Sequence, residues 1–159
     1  MRKFSSSIRI GVISDTHDLL RPAAKLALTG VDRILHAGDV CGREVLDELE
    51  RIAPVTAVRG NNDHGAWAAS IPVTAAVEIG GVSIYILHDL NELDLEPQTA
   101  GFRVVVCGHS HRPAMQEKDG VLFINPGSAG PRRFALPVSV GFIEIVAGQV
   151  SAKLHTLQL

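Results

Sequence analysis

Five short apolar runs in this chain are each followed at once by side chains able to hold a metal, and this repetition restricts the folds open to it. Ile8–Ser14 leads into Asp15-Thr16-His17, Arg33–His36 into Gly38-Asp39, and Val55–Val58 into Gly60-Asn61-Asn62-Asp63. Val82–Leu87 leads into His88, and Arg103–Cys107 into Gly108-His109-Ser110-His111. Short runs rich in Val and Ile and bounded by glycine read as buried strands. Ligand sites of α/β sheets gather at the carboxyl ends of strands. The five runs therefore predict one sheet system whose strand ends converge on a single polar site.

The rest of the pattern is consistent with that frame. Ala23–Leu28 fits a short helix, and Arg43–Ala53 sets Val45, Leu46, Leu49 and Ile52 on one helical stripe that Pro54 ends. Val73–Ile79 and Val82–Leu87 flank Gly80-Gly81, a hairpin signal. Leu122–Ile124 follows a Lys118-Asp119-Gly120 turn, and the tail reads as a hairpin of Val138–Val146 and Val150–Leu157 around Ala147-Gly148. In its last strand Val150, Ala152 and Leu154 alternate with Ser151, Lys153 and His155, so one face is expected to be solvated. Helices alternate with strands early and hairpins follow later, which predicts an α/β chain with mixed sheets rather than a purely parallel one. With 159 residues and no repeat or linker, residues 1–159 are expected to form a single domain.

Composition narrows the function classes. A formal net charge of −2 gives no electrostatic footprint for nucleic acid as the main partner. Cys41 and Cys107 lie in or beside apolar segments and form no disulfide framework. The two basic residues near the start are followed by no apolar signal core, and no run approaches the ~20 residues of a membrane helix. The expectation is a soluble cytoplasmic protein without a membrane partner.

Taken singly, each polar motif has an ordinary structural explanation. Asp15-Thr16-His17 can cap a helix, Gly38-Asp39 and Asn61-Asn62 can be turns, and His88 can be a core histidine. The combination argues otherwise, because four of the seven histidines, two aspartates and an asparagine stand in order at strand ends. Residues two apart in extended chain point to one side, so Asp15 with His17, and His109 with His111, are expected to share a site. Glycines 38, 60 and 108 let the backbone turn where the site crowds it. The mixed imidazole, carboxylate and amide set suits Mn²⁺, Fe, Co²⁺ or Zn²⁺ better than Ca²⁺ or Mg²⁺.

D-x-H, G-D, G-N, a lone H and G-H-x-H in this order resemble the calcineurin-like metallophosphoesterase superfamily. HAGD, RGNND and Ile124–Arg133 (INPGSAGPRR) are most similar to its small YfcE-type phosphodiesterases, and the resemblance runs from Ile10 to Arg132. It implies two mixed β-sheets packed as a sandwich flanked by helices, a four-layer α/β/β/α fold. It further implies two divalent transition-metal ions, manganese foremost, with Fe, Zn²⁺, Co²⁺ and Ni²⁺ as alternatives. One ion would be held by Asp15, His17, Asp39 and His111, the other by Asp39, Asn61, His88 and His109, with Asp39 bridging. Such a centre ionises water at neutral pH and clamps both oxygens of an in-line displacement, with about +2 of charge uncompensated by the two carboxylates. The implied activity is hydrolysis of a small phosphodiester. Homo-oligomers, dimeric or tetrameric, are also within the family's range.

Many superfamily members carry histidine after G-N; here that position is Asn62, and an amide donates a hydrogen bond but delivers no proton. His64 is a substitute acid if the turn aims it inward. Asp63 either accepts from a ligand imidazole or is a turn residue, and His36 is expected to pack or hydrogen-bond near the site rather than to bind metal. Asn125-Pro126-Gly127-Ser128 reads either as a phosphate-binding nest or as a plain turn, with Gly127 and Ser128 the candidate donors. Arg132 and Arg133 reach either a distal phosphate or solvent. Trp67 forms either a substrate wall or a subunit contact. Two other readings stand beside the enzyme: a non-catalytic protein-binding scaffold like the related retromer subunit Vps29, and a nuclease or nucleotide-binding regulator. Scaffold relatives tend to lose ligand histidines, whereas this chain has every one.

Overall fold

The computed structural model describes residues 7–159. The sequence reading of the first six residues as no leader lies outside them. Two five-stranded mixed sheets face each other, in the orders β10-β9-β1-β2-β3 and β4-β5-β6-β8-β7. The first contains β1 (Ser7–Ile13), β2 (Arg33–His36), β3 (Val55–Ala57), β9 (Ser139–Val146) and β10 (Gln149–Thr156). The second contains β4 (Thr74–Ile79), β5 (Val82–Leu87), β6 (Val104–Val106), β7 (Ala114–Lys118) and β8 (Val121–Asn125). β1, β2 and β3 run parallel, as do β5, β6 and β8, while the three hairpins β4–β5, β7–β8 and β9–β10 and the β1–β9 pair are antiparallel.

The unbroken apolar runs follow from burial on both faces. Ile84 and Ile86 of β5 and Val104 and Val106 of β6 pack between the sheets against Ile10, Val12 and Leu35. Their neighbours Tyr85, Leu87 and Val105 face outward under Leu93, Leu95 and Phe102. On the first sheet Ile13 and Ile34 face α1 (Pro22–Ala27) and α2 (Arg43–Glu50), where Leu28 and Leu49 are fully buried. The four layers are present, the outer one on the second sheet reduced to a 3-10 turn (Leu90–Glu92) and one helical turn, α3 (Pro97–Ala100).

Several boundaries differ from expectation. Arg51–Ala53 is a turn whose amides close back on Glu48 and Leu49, so α2 stops before Pro54 acts. β7 had no sequence signal, because AMQEK is exposed throughout and is held only by its backbone ladder to β8 at a sheet edge. In β10, Val150, Ala152 and Leu154 are half-buried and Ser151, Lys153 and His155 exposed, as the alternation required.

Candidate metal centre

The loops after β1, β2, β3, β5 and β6 meet at one edge of the sandwich. Asp15, Asp39, His88 and His111 are buried there, and His17 is half-buried. The extended-chain argument for Asp15 with His17, and for His109 with His111, is corrected by the backbone. These four residues and Asp39 all have left-handed φ, between 47° and 73°. Such conformations cost about 1 kcal/mol or more each and are held by the surroundings. The amides of Asp15, His17 and Asp18 donate to the carbonyls of Gly38, Asp39 and Val40, lacing the first loop to the second.

His36, fully buried, reinforces the lacing. The Gly38 amide donates to its Nδ1 (3.1 Å), so Nε2 carries the proton and donates to Thr16 Oγ1 (3.1 Å). Thr16 in turn donates to the Val40 carbonyl (3.0 Å). Burial pushes the His36 pKa down to about 4, which keeps this tautomer neutral.

Asp15 shows where an ion fits. Its Oδ2 accepts from Ser14 Oγ (2.6 Å) and the His109 amide (3.0 Å), while Oδ1 is buried with no hydrogen-bond partner among the described residues. Around Oδ1 stand Nε2 of His111 at 3.3 Å, of His17 at 3.8 Å and of His88 at 3.9 Å. His17 Nε2 is likewise buried without a hydrogen-bond partner. Asp39 Oδ2 lies 3.6 Å from His17 Nε2 and 3.4 Å from His88 Nε2, between the two imidazoles. Two triads, Asp15-His17-His111 and Asp15-Asp39-His88, have ligand atoms within 4.8 Å of one another. Ligands bound at ~2.0–2.2 Å sit roughly 3–3.5 Å apart, so small movements close either triad on an ion. The residues fit divalent metal.

Outer contacts orient the rings. His88 donates Nδ1–H to the Ala37 carbonyl (2.7 Å), which leaves the Nε2 lone pair facing Asp15 and Asp39 and able to hold a metal. His109 turns Nδ1 toward His88 Nε2 (3.3 Å), and its Nε2 faces the Asp89 carboxylate at 3.9 Å. His17 Nδ1 meets Cys41 Sγ at 3.7 Å. Gly108 and Gly60 are required by crowding, since a Cβ on the first would collide with Ser14 and Asp15 and on the second with Asp39.

Without metal the carboxylates favour the protonated forms of His17 and His88. Burial works to raise the Asp15 pKa, but the close imidazoles of His111 and His17 and the Ser14 bond hold it well below the usual carboxylate range. Burial likewise opposes the charged form of Asp39, yet bonds from His88 and Asn62 bring it down to about 2. Burial would lower His88, while the Asp39 bond and the Asp15 charge raise it to about 9. The Asp15 carboxylate beside it leads in raising His17, with burial and the nearby Arg133 charge opposing.

The remaining candidates are placed as follows. Asn61 is exposed and shares a cleft wall with His88 and His109. Asn62 clamps Asp39, its amide N–H on Oδ1 (2.8 Å) and its Nδ2 on Oδ2 (2.9 Å). Asp63 does not bond a ligand imidazole; its carboxylate takes the amides of Asp39, Gly60 and Cys41, a structural anchor for both loops. His64 is exposed. Gly127 and Ser128 are buried, and the Gly127 amide is spent on Asn125 Oδ1. The Ser128 hydroxyl donates to the Asp15 carbonyl, so this segment props the first loop instead of offering a phosphate nest. Arg132 and Arg133 are exposed, and it is Arg133 whose charge reaches His17. Trp67 packs against the core beneath α1 and α2. Sequence reasoning missed Ser14, Cys41 and Asp89; their only signal was standing one or two positions from a ligand.

Comparison with known proteins agrees with this geometry. The family model of the calcineurin-like phosphoesterase superfamily domain matches residues 8–148. A probable metallophosphoesterase of Methanocaldococcus jannaschii is 36% identical over 133 residues, covering 75% of this chain and 67% of its own. A phosphodiesterase of the same organism is 32% identical over 139 residues, covering 76% and 83%. The structure of vacuolar protein sorting 29 from Cryptosporidium parvum superposes with a TM-score of 0.77 at 20% identity, covering 96% of this chain and 99% of that one, a likeness of fold.

Proposed function

We propose, for a chain that belongs to the calcineurin-like phosphoesterase superfamily, a phosphodiesterase that hydrolyses a P–O ester bond at a dinuclear metal centre. The observation that supports it most is Asp15, one oxygen fully hydrogen-bonded and the other bare among three imidazole Nε2 atoms. In this reading Asp15, His17, Asp39 and His111 hold one ion, and Asp39, Asn61, His88 and His109 the other. Manganese is the proposed metal. When bound, such ions supply Lewis acidity and bring the pKa of coordinated water near 7.

The chain's own residues do the rest. Asp39 holds the two ligand sets at a fixed separation, and Asn62 holds Asp39. No histidine follows Asn61 to donate a proton to the leaving group, so esters with good leaving groups are the favoured substrates. A diester monoanion also needs less compensating charge than a monoester dianion. The likeness to Vps29 supports a second reading, a protein-binding scaffold, but the complete ligand set favours catalysis.

The test is elemental analysis after manganese loading, followed by assays on bis(4-nitrophenyl) phosphate and 4-nitrophenyl phosphate. Two ions per chain and preferential diester cleavage are expected, with occupancy and turnover falling together in Asp39→Asn. Occupancy near zero, or two bound ions without any turnover, would overturn the catalytic reading.

A further inference from the structure

We infer that the cleft beside His109 receives a planar aromatic group carried on the phosphoester, a substrate class that rests on the reading above. The G-H-S-H loop is the partition between this cleft and the metal ligands, with Gly108, His109 and Asp89 lining both sides. Asn125 fixes the partition, donating through Nδ2 to the Gly108 carbonyl (2.9 Å) and to Ser110 Oγ (3.1 Å), while the Arg112 amide donates to Ser110 Oγ (3.2 Å). A substrate whose phosphorus sits at the centre would extend its ester group directly past His109.

The lining chooses the group. Cys107 and Phe123 form an apolar floor, and Leu90 and Met115 form the walls. Those two walls are 40% and 42% exposed, two of the few large apolar side chains left wet in the described residues. A thioether adapts to an aromatic ring and contacts it favourably. Arg112 at the rim is able to stack on a ring, and the amides of Asn91 and Gln116 can pair with ring heteroatoms. The cleft on the other side of His109 carries more charge, with Glu92, Asp94 and Arg59 beside Val73, Tyr85 and Leu87. Glu92 and Asp94, which do not line the first cleft, disfavour an anionic ester on that side.

The chain has two methionines, Met1 and Met115, so methyl-labelled methionine reports the cleft directly. Zn²⁺-loaded protein is titrated with diphenyl phosphate, adenosine 5′-monophosphate and dimethyl phosphate. A ring-current shift of the Met115 methyl with either aromatic probe, and none with dimethyl phosphate, is expected. Diphenyl phosphate alone would identify an aryl ester, and the nucleotide alone a nucleobase. The absence of a Met115 shift with both aromatic probes would overturn the inference. In parallel, Leu90→Asn and Met115→Gln should lower kcat/KM for bis(4-nitrophenyl) phosphate roughly tenfold, chiefly through KM. Leu26→Gln, on an exposed face of α1, should leave it unaltered. Equal effects of all three variants would also overturn the inference. If no ester is turned over at all, the phosphodiesterase reading fails, while the Met115 shift still decides whether the cleft binds aromatic groups.

Discussion

Acid should unfold the metal-free protein through His36, by an amount the structure sets. The ring is fully buried, accepts the Gly38 amide at Nδ1 and donates to Thr16 from Nε2. A second proton would place N–H against N–H at Gly38 in a site without water-accessible surface. Its pKa accordingly falls from 6.5 to about 4. The unfolded chain takes up this proton below pH 6.5 and the folded chain only near 4, so the contribution is fully present above pH 6.5 and is lost as pH falls toward 4. At 1.36 kcal/mol per unit, about 2 kcal/mol should disappear between pH 6.5 and 4.5. The assay is urea denaturation of chelator-treated wild type and His36→Gln across that range. His36→Gln keeps an acceptor and a donor but does not titrate, so its stability should fall by about 2 kcal/mol less than that of the wild type. Equal losses in the two proteins would refute the argument that burial holds His36 neutral. The linkage to the site gives a second readout: His36→Leu orphans the Gly38 amide, a loss of roughly 1–3 kcal/mol, and should weaken metal binding by loosening both ligand loops.

Other consequences are open to direct measurement. Ser14→Ala removes the 2.6 Å bond on Asp15 Oδ2 and should cost ~10–100-fold in Zn²⁺ affinity by calorimetry with little change in melting temperature. On the alkaline side His88, raised from 6.5 to about 9 in the metal-free protein, contributes stability present below pH 6.5 and lost as pH rises through 9. Metal-loaded protein should lack this alkaline loss in a thermal-melt series, because an ion replaces the proton. Asn62→His should raise monoester turnover and flatten the dependence of rate on leaving-group pKa, measured over graded aryl phosphates, while His64→Ala changes little.

Reading the residues in order was enough to recover nine of the ten strands, the mixed α/β class and the identity of the family. These properties are local or periodic: an apolar run without alternation implies cover on both sides, and ligand types placed after such runs imply convergence. Tertiary structure alone decided which atoms are available for chemistry. Asp15 and His109 are 94 residues apart, yet the amide of one fixes which oxygen of the other is left bare. Asp63 and Asn62 are adjacent, but only their contacts show that the first anchors backbone amides and the second clamps the Asp39 carboxylate. The left-handed backbone at five ligand residues was equally hidden, because it runs against intrinsic preference and is held by bonds from the neighbouring loop. β7 carries no apolar signal at all, since a sheet edge is held by backbone pairing with whatever strand lies beside it. Short-range pattern is written in residue type, whereas hydrogen-bond partnership depends on which distant loops the packed sheets bring within three ångströms of each other.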